Sequence, residues 1–357
     1  MTTTYTAILL RNFKGPLHLS LGKEDSYDRT QTLLHSDTLK SAIAVCALQL
    51  GLTNGGDELR QFMESFLISS AYPVANTNKP EPIYFFPKPN IADRLTVAND
   101  AKKAKKVEYV SKDLFEALLS SSQTLSDTSG KFAFLPSAEM PNELKVFSTE
   151  PNQHVMIPRD GSGDSNPYFV DKLYFNDHCG LFFLTNATGE TLKKVKACMR
   201  LLGDNGIGTD RTTGHGQFEF DPATDARTID LLLPDAPNDE GMVLYQMALS
   251  LYCPETNEIP KQVLEKSYYD LIKRGGYIAA PENDNHLTIR KKTVYMFTEG
   301  SVFPHASDRK GKIVDLKPKD GDLQDKRQPI VEHPIWRDGL ALFVPILHKE
   351  DSDKSIS

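Results

Sequence analysis

The stretch GETLKKVKACMRLLGDNGIGTDRTTGHGQFEF, Gly189 to Phe220, decides the fold. Its first half places Leu192, Val195, Met199 and Leu202 at the three- and four-residue steps of one helix face, while Lys193, Lys194 and Lys196 turn outward. Gly203 supplies the stop that a helix C-terminus favours. The second half alternates from Gln217 to Phe220, as a half-buried strand does. Between them lies a connection with five glycines and one arginine. It lacks Gly-Lys-Ser/Thr and runs from helix into strand, so it is neither a Walker loop nor a dinucleotide fingerprint. Two readings of it stay open. It is either a long permissive turn or a loop whose bare amides and positive-φ turns approach a polyanion, with Arg211, Thr212, Thr213 and His215 as donors.

Working outward, Tyr5 to Phe13 reads as a first strand closed by Lys14, Gly15 and Pro16. Ser36 or Asp37 then caps a helix whose buried face is Leu39, Ala42, Ile43, Cys46, Ala47 and Leu50, with Gly51 as its stop. A further helix is expected over 57–69. Between Tyr72 and Pro151 the periodicity weakens and prolines crowd around Tyr84, Phe85 and Phe86, which reads as an insertion with a helix near 112–121. Strands return at His154–Ile157 and Cys179–Thr185. The order strand, helix, strand, strand, helix, strand is that of a ferredoxin-like unit.

The expected organisation is therefore α+β, with two ferredoxin-like (RRM-like) domains. Residues 1–222 form the first, with an insertion at about 72–150 and the glycine-rich loop at 203–216. Residues 223–348 form the second, with strands at 228–233, 242–252 and 340–347, a helix at 261–273, and a β ribbon over 286–303 and 312–316. The polar tail 349–357 is expected to be disordered.

Composition bounds the function. The chain has 357 residues, 39% hydrophobic and 25% charged, an ordinary globular mix. Its longest apolar run, Ala42 to Leu50, is too short to cross a bilayer, and no basic residue precedes the first apolar stretch, so the expected location is cytoplasmic. Cys46, Cys179, Cys198 and Cys253 form no CxxC pair and no regular spacing with histidine, which disfavours zinc and disulfides. The net charge of −7 argues against a surface that sticks to nucleic acid throughout. Local clusters run the other way. Residues 286–317 carry seven basic residues against three acids, and Lys102, Lys103, Lys105 and Lys106 fall within five positions.

Single residues are ambiguous at this level. His35 is an RNA contact, a general acid or base, or simply a hydrogen-bonding histidine. Lys40 is a phosphate contact or a solvated lysine. Lys273 and Arg274, beside two glycines, cap a helix or clamp a phosphate. Phe218 and Tyr174 fit core packing better than base stacking. No HExxH, GxSxG or rigidly held carboxylate pair is present.

Taken together, LLHSDTLKSAI, HVMIPRDGSG, GIGTDRTTGHGQFEF, LSLYCP, KRGGYI, KIVDLKP and HPIWRDG resemble, in order, the RAMP proteins, and among them the fourth-subunit family of the Csm-type (type III-A) CRISPR interference complex. The resemblance implies a non-catalytic subunit that grips the 5′ tag of the guide RNA (crRNA). It would dock the large polymerase/cyclase-like subunit on one side and a RAMP backbone subunit on the other, in antiviral defence, with no cofactor, no metal and no membrane. It implies crRNA contacts at His35, Ser36, Lys40, Arg159, Gly206, Gly208, Arg211, Thr212, Gly214, His215 and Arg274. Some RAMP relatives cut precursor guides without metal, so the alternative is an endoribonuclease with His35 as general acid or base.

Overall fold

The structure, a computed structural model, describes residues 1–20, 29–98, 100–135, 145–157, 164–235, 241–278, 289–318 and 331–349. Arg159 and the tail residues 350–357 lie outside the described residues.

In chain order the first half contains β1 (Thr2–Lys14), α1 (Ser36–Gln49), α2 (Asp57–Glu64), β2 (Tyr72–Ala75), β3 (Ile83–Pro87), β4 (Leu95–Val97), α3 (Ala101–Lys106), β5 (Tyr109–Ser111), α4 (Lys112–Ser120), β6 (Gln123–Leu125) and β7 (Phe132–Ala133). Then come β8 (Phe147–Met156), β9 (Asn166–Phe175), β10 (Gly180–Thr185), α5 (Gly189–Asn205) and β11 (Gln217–Glu219). The remainder is β12 (Ala226–Leu232), β13 (Met242–Ala248), α6 (Lys261–Glu265), β14 (Leu271–Arg274), β15 (Val294–Phe297), β16 (Val302–Pro304), β17 (Val314–Asp315), β18 (Trp336–Arg337) and β19 (Phe343–Lys349).

The main sheet runs β11-β1-β10-β2-β3-β5-β7, with β12 also paired to β1. β1 is its organiser. Thr6 to Arg11 pair with Thr185 to Gly180 of β10, while Thr2 to Ile8 pair with Leu232 to Ala226 of β12 on the other edge. Ile8 and Leu10 pack with Leu39, Ile43 and Cys46 of α1 and Val195, Cys198 and Met199 of α5. Ala7 and Leu9 pack the opposite way, against a cluster that includes Met247 of β13 and Val344 and Ile346 of β19. Both faces of β1 are thus buried, which is why its centre reads as an unbroken apolar run. The chain is built in three layers: two helices, the main sheet, and the three-stranded sheet β16-β13-β19.

Several sequence expectations are corrected. The strand beside β10 is β2, Tyr72–Ala75, so the insertion begins after it and the strand read at 154–157 belongs elsewhere. That segment is the end of β8, which forms a ten-residue antiparallel ribbon with β9, from Phe147↔Phe175 to Met156↔Asn166. The strand expected to open the second unit, β12, hydrogen-bonds along β1, so the first sheet continues past residue 222. The helix read over 261–273 is only α6. Tyr268 exchanges backbone hydrogen bonds with Val302, and β14 then pairs with β15, so tertiary pairing overrides the helical pattern. α1 starts one residue earlier than expected: His35 occupies the N-cap, and Ser36 and Asp37 are its first helical residues.

Candidate nucleic-acid interface

The buried face of α5 closes at Leu202 and Gly203, the helix itself ends at Asn205, and Gly206 turns the chain out with φ +75°. The connection then folds on itself. Ile207 N–H donates to Gly216 O at 3.0 Å, Thr209 N–H to His18 O at 3.1 Å, and Gly216 N–H to Pro16 O at 3.0 Å. A Cβ at Gly208 would lie 2.6 Å from His18 O, and one at Gly216 would run into Ile207 O. These glycines are dictated by the close approach of loop backbone to loop backbone and to residues 16–18.

Above this pinned base stands an exposed crown. Asp210 adopts a left-handed conformation, Arg211 to Thr213 make one 3₁₀ turn, and Gly214 returns at φ +82°. Thr213 Oγ1 donates to Asp210 O at 2.7 Å, which fixes the turn. Arg211, Thr212 and Thr213 are exposed, and His215 is partly covered. Partial burial, helped by Lys172 and His154, pushes His215 below its ordinary imidazole value, with Asp210 pulling the other way. It is therefore a neutral donor or acceptor at neutral pH.

The crown adjoins the β8–β9 ribbon. Leu17 bridges Leu173, and His18 Nδ1 lies 2.7 Å from Asp171 O, which ties residues 16–18, and through them the loop, to β9. Further out, His154 stacks on Tyr168 at 5.4 Å. Val155, Met156, Ile157, Tyr168 and Phe169 are exposed beyond it, Ile157 by 69%. Sequence reasoning missed this feature. Its signal was present in HVMI and PYFV, apolar at both alternating positions in a ribbon whose outer half packs on nothing described.

Gly206, Gly208, Arg211, Thr212, Gly214 and His215 are thus brought together in one lobe. The other expected contacts lie at the N-terminal end of α1, and most of them face inward. Ser36 is fully buried, its N–H bonded to Ser70 Oγ and its Oγ accepting from Leu251 N–H. Lys40 is fully buried, donating to Phe66 O at 2.7 Å and pairing with Asp338 at 3.3 Å. Neither exposes surface to a ligand, so the expectation of crRNA contacts at Ser36 and Lys40 is corrected to a structural role. Arg274 is 8% exposed and grips Asp37 through two nitrogens. His35 is 7% exposed, its Nδ1 2.9 Å from Glu299 Oε1, which also accepts from Ser70 Oγ. Burial alone would raise the Glu299 carboxyl, but His35 and Ser70 outweigh it and hold the group below its usual range.

The two lysine-rich segments also resolve. Lys102, Lys103, Lys105 and Lys106 lie exposed on α3, which Asp100 caps by accepting from Lys102 N–H and Lys103 N–H. In the 286–317 cluster, Arg309 donates to Pro304 O and Lys312 pairs with Glu255, so part of that charge is spent inside the protein. Among the described residues no group of three or more His, Cys, Asp or Glu is arranged to hold a metal ion, and no helix is long and apolar enough to cross a membrane.

Solved structures define the class of this mixed α+β fold. It is similar to a chain in a crystal structure of the Csm3–Csm4 subcomplex of the type III-A CRISPR-Cas interference complex, with TM-score 0.59 and 20% identity over 96% of this chain and 99% of that one. It is also similar to a chain of a Csm1–Csm4 cassette in complex with pppApA, with TM-score 0.54 and 18% identity over 96% and 98%. Among characterised sequences, a CRISPR system Csm4 protein of Methanocaldococcus jannaschii is 25% identical over 92% of this chain and 95% of its own length. One of Streptococcus thermophilus is 24% identical over 82% and 87%. Residues 243–346 match the family model of the CRISPR Csm4 C-terminal domain. Over most of its length the chain is therefore similar to Csm4 proteins, and its C-terminal part matches their family model.

Proposed function

We propose that the chain is a non-catalytic, cytoplasmic RNA-holding subunit of a type III-A CRISPR effector complex. It grips the 5′ tag of the crRNA and docks a large polymerase/cyclase-like subunit and a RAMP backbone subunit. The observation that carries this reading is the exposed Arg211–Thr213 crown on a rigid base, beside a ribbon that presents Tyr168 and Phe169 to solvent. A cation with hydroxyl donors suits phosphate and ribose, and exposed aromatic rings suit unstacked bases. The main sheet is covered on both faces, so RNA would lie along the loop and ribbon edge rather than across the strands. The similar Csm4 chains were solved with Csm3 and with Csm1, which supports the two protein partners. The ferredoxin-like reading of the first unit is supported by the strand order β11-β1-β10-β2 with α1 and α5 on one face.

The test is titration of the purified chain with guide RNA bearing or lacking its 5′ tag. Tagged RNA binds more tightly, with affinity falling as salt rises. Arg211→Ala weakens both this binding and assembly with the partner subunits. Unchanged binding and tag protection in that variant would remove the loop from the site.

One observation favours a second reading, the metal-independent endoribonuclease. His35 lines an open cleft of about 500 Å³ with Thr32, Lys88, Tyr109, Lys131 and Glu299. Glu299 engages Nδ1, which orients the ring and leaves Nε2 for a proton transfer in the cleft. Incubation with repeat RNA in EDTA separates the readings: cleavage that disappears in His35→Ala selects the enzyme, and intact RNA selects the holding role.

A further inference from the structure

β14 (Leu271–Arg274) and β15 (Val294–Phe297) form a two-stranded antiparallel sheet, and its register decides which backbone groups are used. Thr298 N–H donates to Asp270 O at 3.0 Å, so Asp270, Ile272 and Arg274 turn their main-chain groups toward β15. Phe297, opposite Leu271, turns its own groups the other way and exchanges hydrogen bonds of 2.9 and 3.0 Å with Tyr252. β15 is thus engaged on both sides at Phe297. Leu271 and Lys273 instead direct N–H and C=O outward from β14, and among the described residues no strand pairs with that edge. The face around it is uncovered. Ile272 and Met296 pack inward with Leu251 and Cys253, which leaves Tyr269, Leu271, Lys273 and Tyr295 outward. Leu271 is 54% and Tyr295 63% exposed, and Lys273 stands directly opposite Tyr295. Among the described residues no carboxylate lies within ion-pair distance of Lys273.

We propose that β14 is a docking edge for a strand of a partner polypeptide, with an apolar residue opposite Leu271 and an acidic one opposite Lys273. An open edge is a template for another chain, and proteins ordinarily blunt it with proline, a bulge or a covering element. The run Tyr269-Asp270-Leu271-Ile272-Lys273-Arg274 contains no proline. An edge lysine deters strands that leave its charge unmatched, but a strand with a carboxylate at that position gains an ion pair across the ladder. Main-chain hydrogen bonds then supply affinity, and the outward side chains supply selectivity. Leu271, Tyr269 and Tyr295 offer the apolar area that marks such a contact. Nucleic acid suits the edge less well, because alternating donors and acceptors match a peptide backbone and the exposed Asp270 repels phosphate. The site stands apart from the RNA-holding reading: loss of RNA binding at the crown would leave it intact, and its own failure would leave that reading intact.

The experiment uses the full chain and, as probe, the end-blocked, fluorescently labelled peptide Thr-Val-Thr-Glu-Thr-Val-Thr, whose valine and glutamate share one face. Anisotropy should show saturable binding to wild type and at least tenfold weaker binding to Lys273→Glu. Replacing the peptide's glutamate by lysine should reverse that preference, and N-methylation of the glutamate amide should abolish binding. A readout without variants accompanies it: the peptide should slow amide hydrogen exchange in the fragment spanning residues 269–274, followed by mass spectrometry. Absence of saturable binding by wild type, equal binding by Lys273→Glu, undiminished binding of the N-methylated peptide, or unprotected amides at 269–274 overturns the site. An oligouridylate is run in parallel. Protection of 269–274 by the oligonucleotide and not by the peptide would make the face an RNA surface and also overturn the proposal.

Discussion

Arg274 and Asp37, 237 positions apart in sequence, form a buried two-point ion pair that fastens β14 to the first turn of α1. Burial would raise the Asp37 carboxyl, yet Arg337 and Arg274 outweigh it and hold the group well below the usual carboxylate range. Removing the acid strands the cations in a space closed to water. Asp37→Ala is therefore expected to destabilise the chain by about 3–5 kcal/mol, read by chemical denaturation. A loss below about 1 kcal/mol, the level of an exposed pair, would mean that the two halves are not coupled there.

Asp338 gives a pH signature of the opposite sign. Burial raises its carboxyl to about 6, against the pull of Lys40, which faces it at 3.3 Å without hydrogen-bond geometry. A raised folded value means that the folded state binds the proton more tightly than the unfolded chain. The associated stability is fully present below the unfolded value and is lost as pH rises through about 6. Between pH 7 and pH 5 this group adds about 1 kcal/mol to wild type. Denaturation curves at both pH values should show that increment in wild type, relative to Asp338→Asn. Parallel pH profiles for the two proteins would exclude it.

What the sequence disclosed follows from what periodicity can carry. β1, α1 and α5 were legible because their buried faces repeat, and the loop because glycine density needs no partner to be seen. β2 was hidden by its own composition: Tyr72-Pro73-Val74-Ala75 is short, contains proline and lies on all sides in the core, so neither alternation nor a polar face marks it. The roles of Lys40 and Arg274 were not legible at all. Their partners, Asp338 and Asp37, stand far away in sequence, and a polar residue type beside a helix start does not reveal whether it faces water. The glycines were legible, but three of them serve the loop's own packing, leaving Arg211 to Thr213 as the part free to meet a ligand.

That division makes Arg211 separable from the fold. It is exposed, so Arg211→Ala should change unfolding free energy by less than about 0.5 kcal/mol. If it holds one phosphate of single-stranded RNA, the slope of log affinity against log salt should become shallower by about 0.7. Affinity measured at four or more salt concentrations checks this. An unchanged slope would show that the crown touches no phosphate.

Gly214 and Gly216 separate backbone strain from backbone contact. Both have positive φ, +82° and +69°, so alanine at either pays a left-handed penalty of about 1–2 kcal/mol. A Cβ at Gly214 meets nothing within 4 Å, whereas one at Gly216 runs into Ile207 O and disturbs the amide that donates to Pro16 O. Gly216→Ala should therefore cost at least about 1–3 kcal/mol more than Gly214→Ala, the price of forcing atoms into packed space. It should also weaken RNA binding without removing any donor, because the base that holds the crown is displaced. Gly214→Ala should leave RNA affinity within about twofold, a change under roughly 0.5 kcal/mol. Equal losses in the two variants, by denaturation and by RNA titration, would show that the loop is not pinned to residues 16–18.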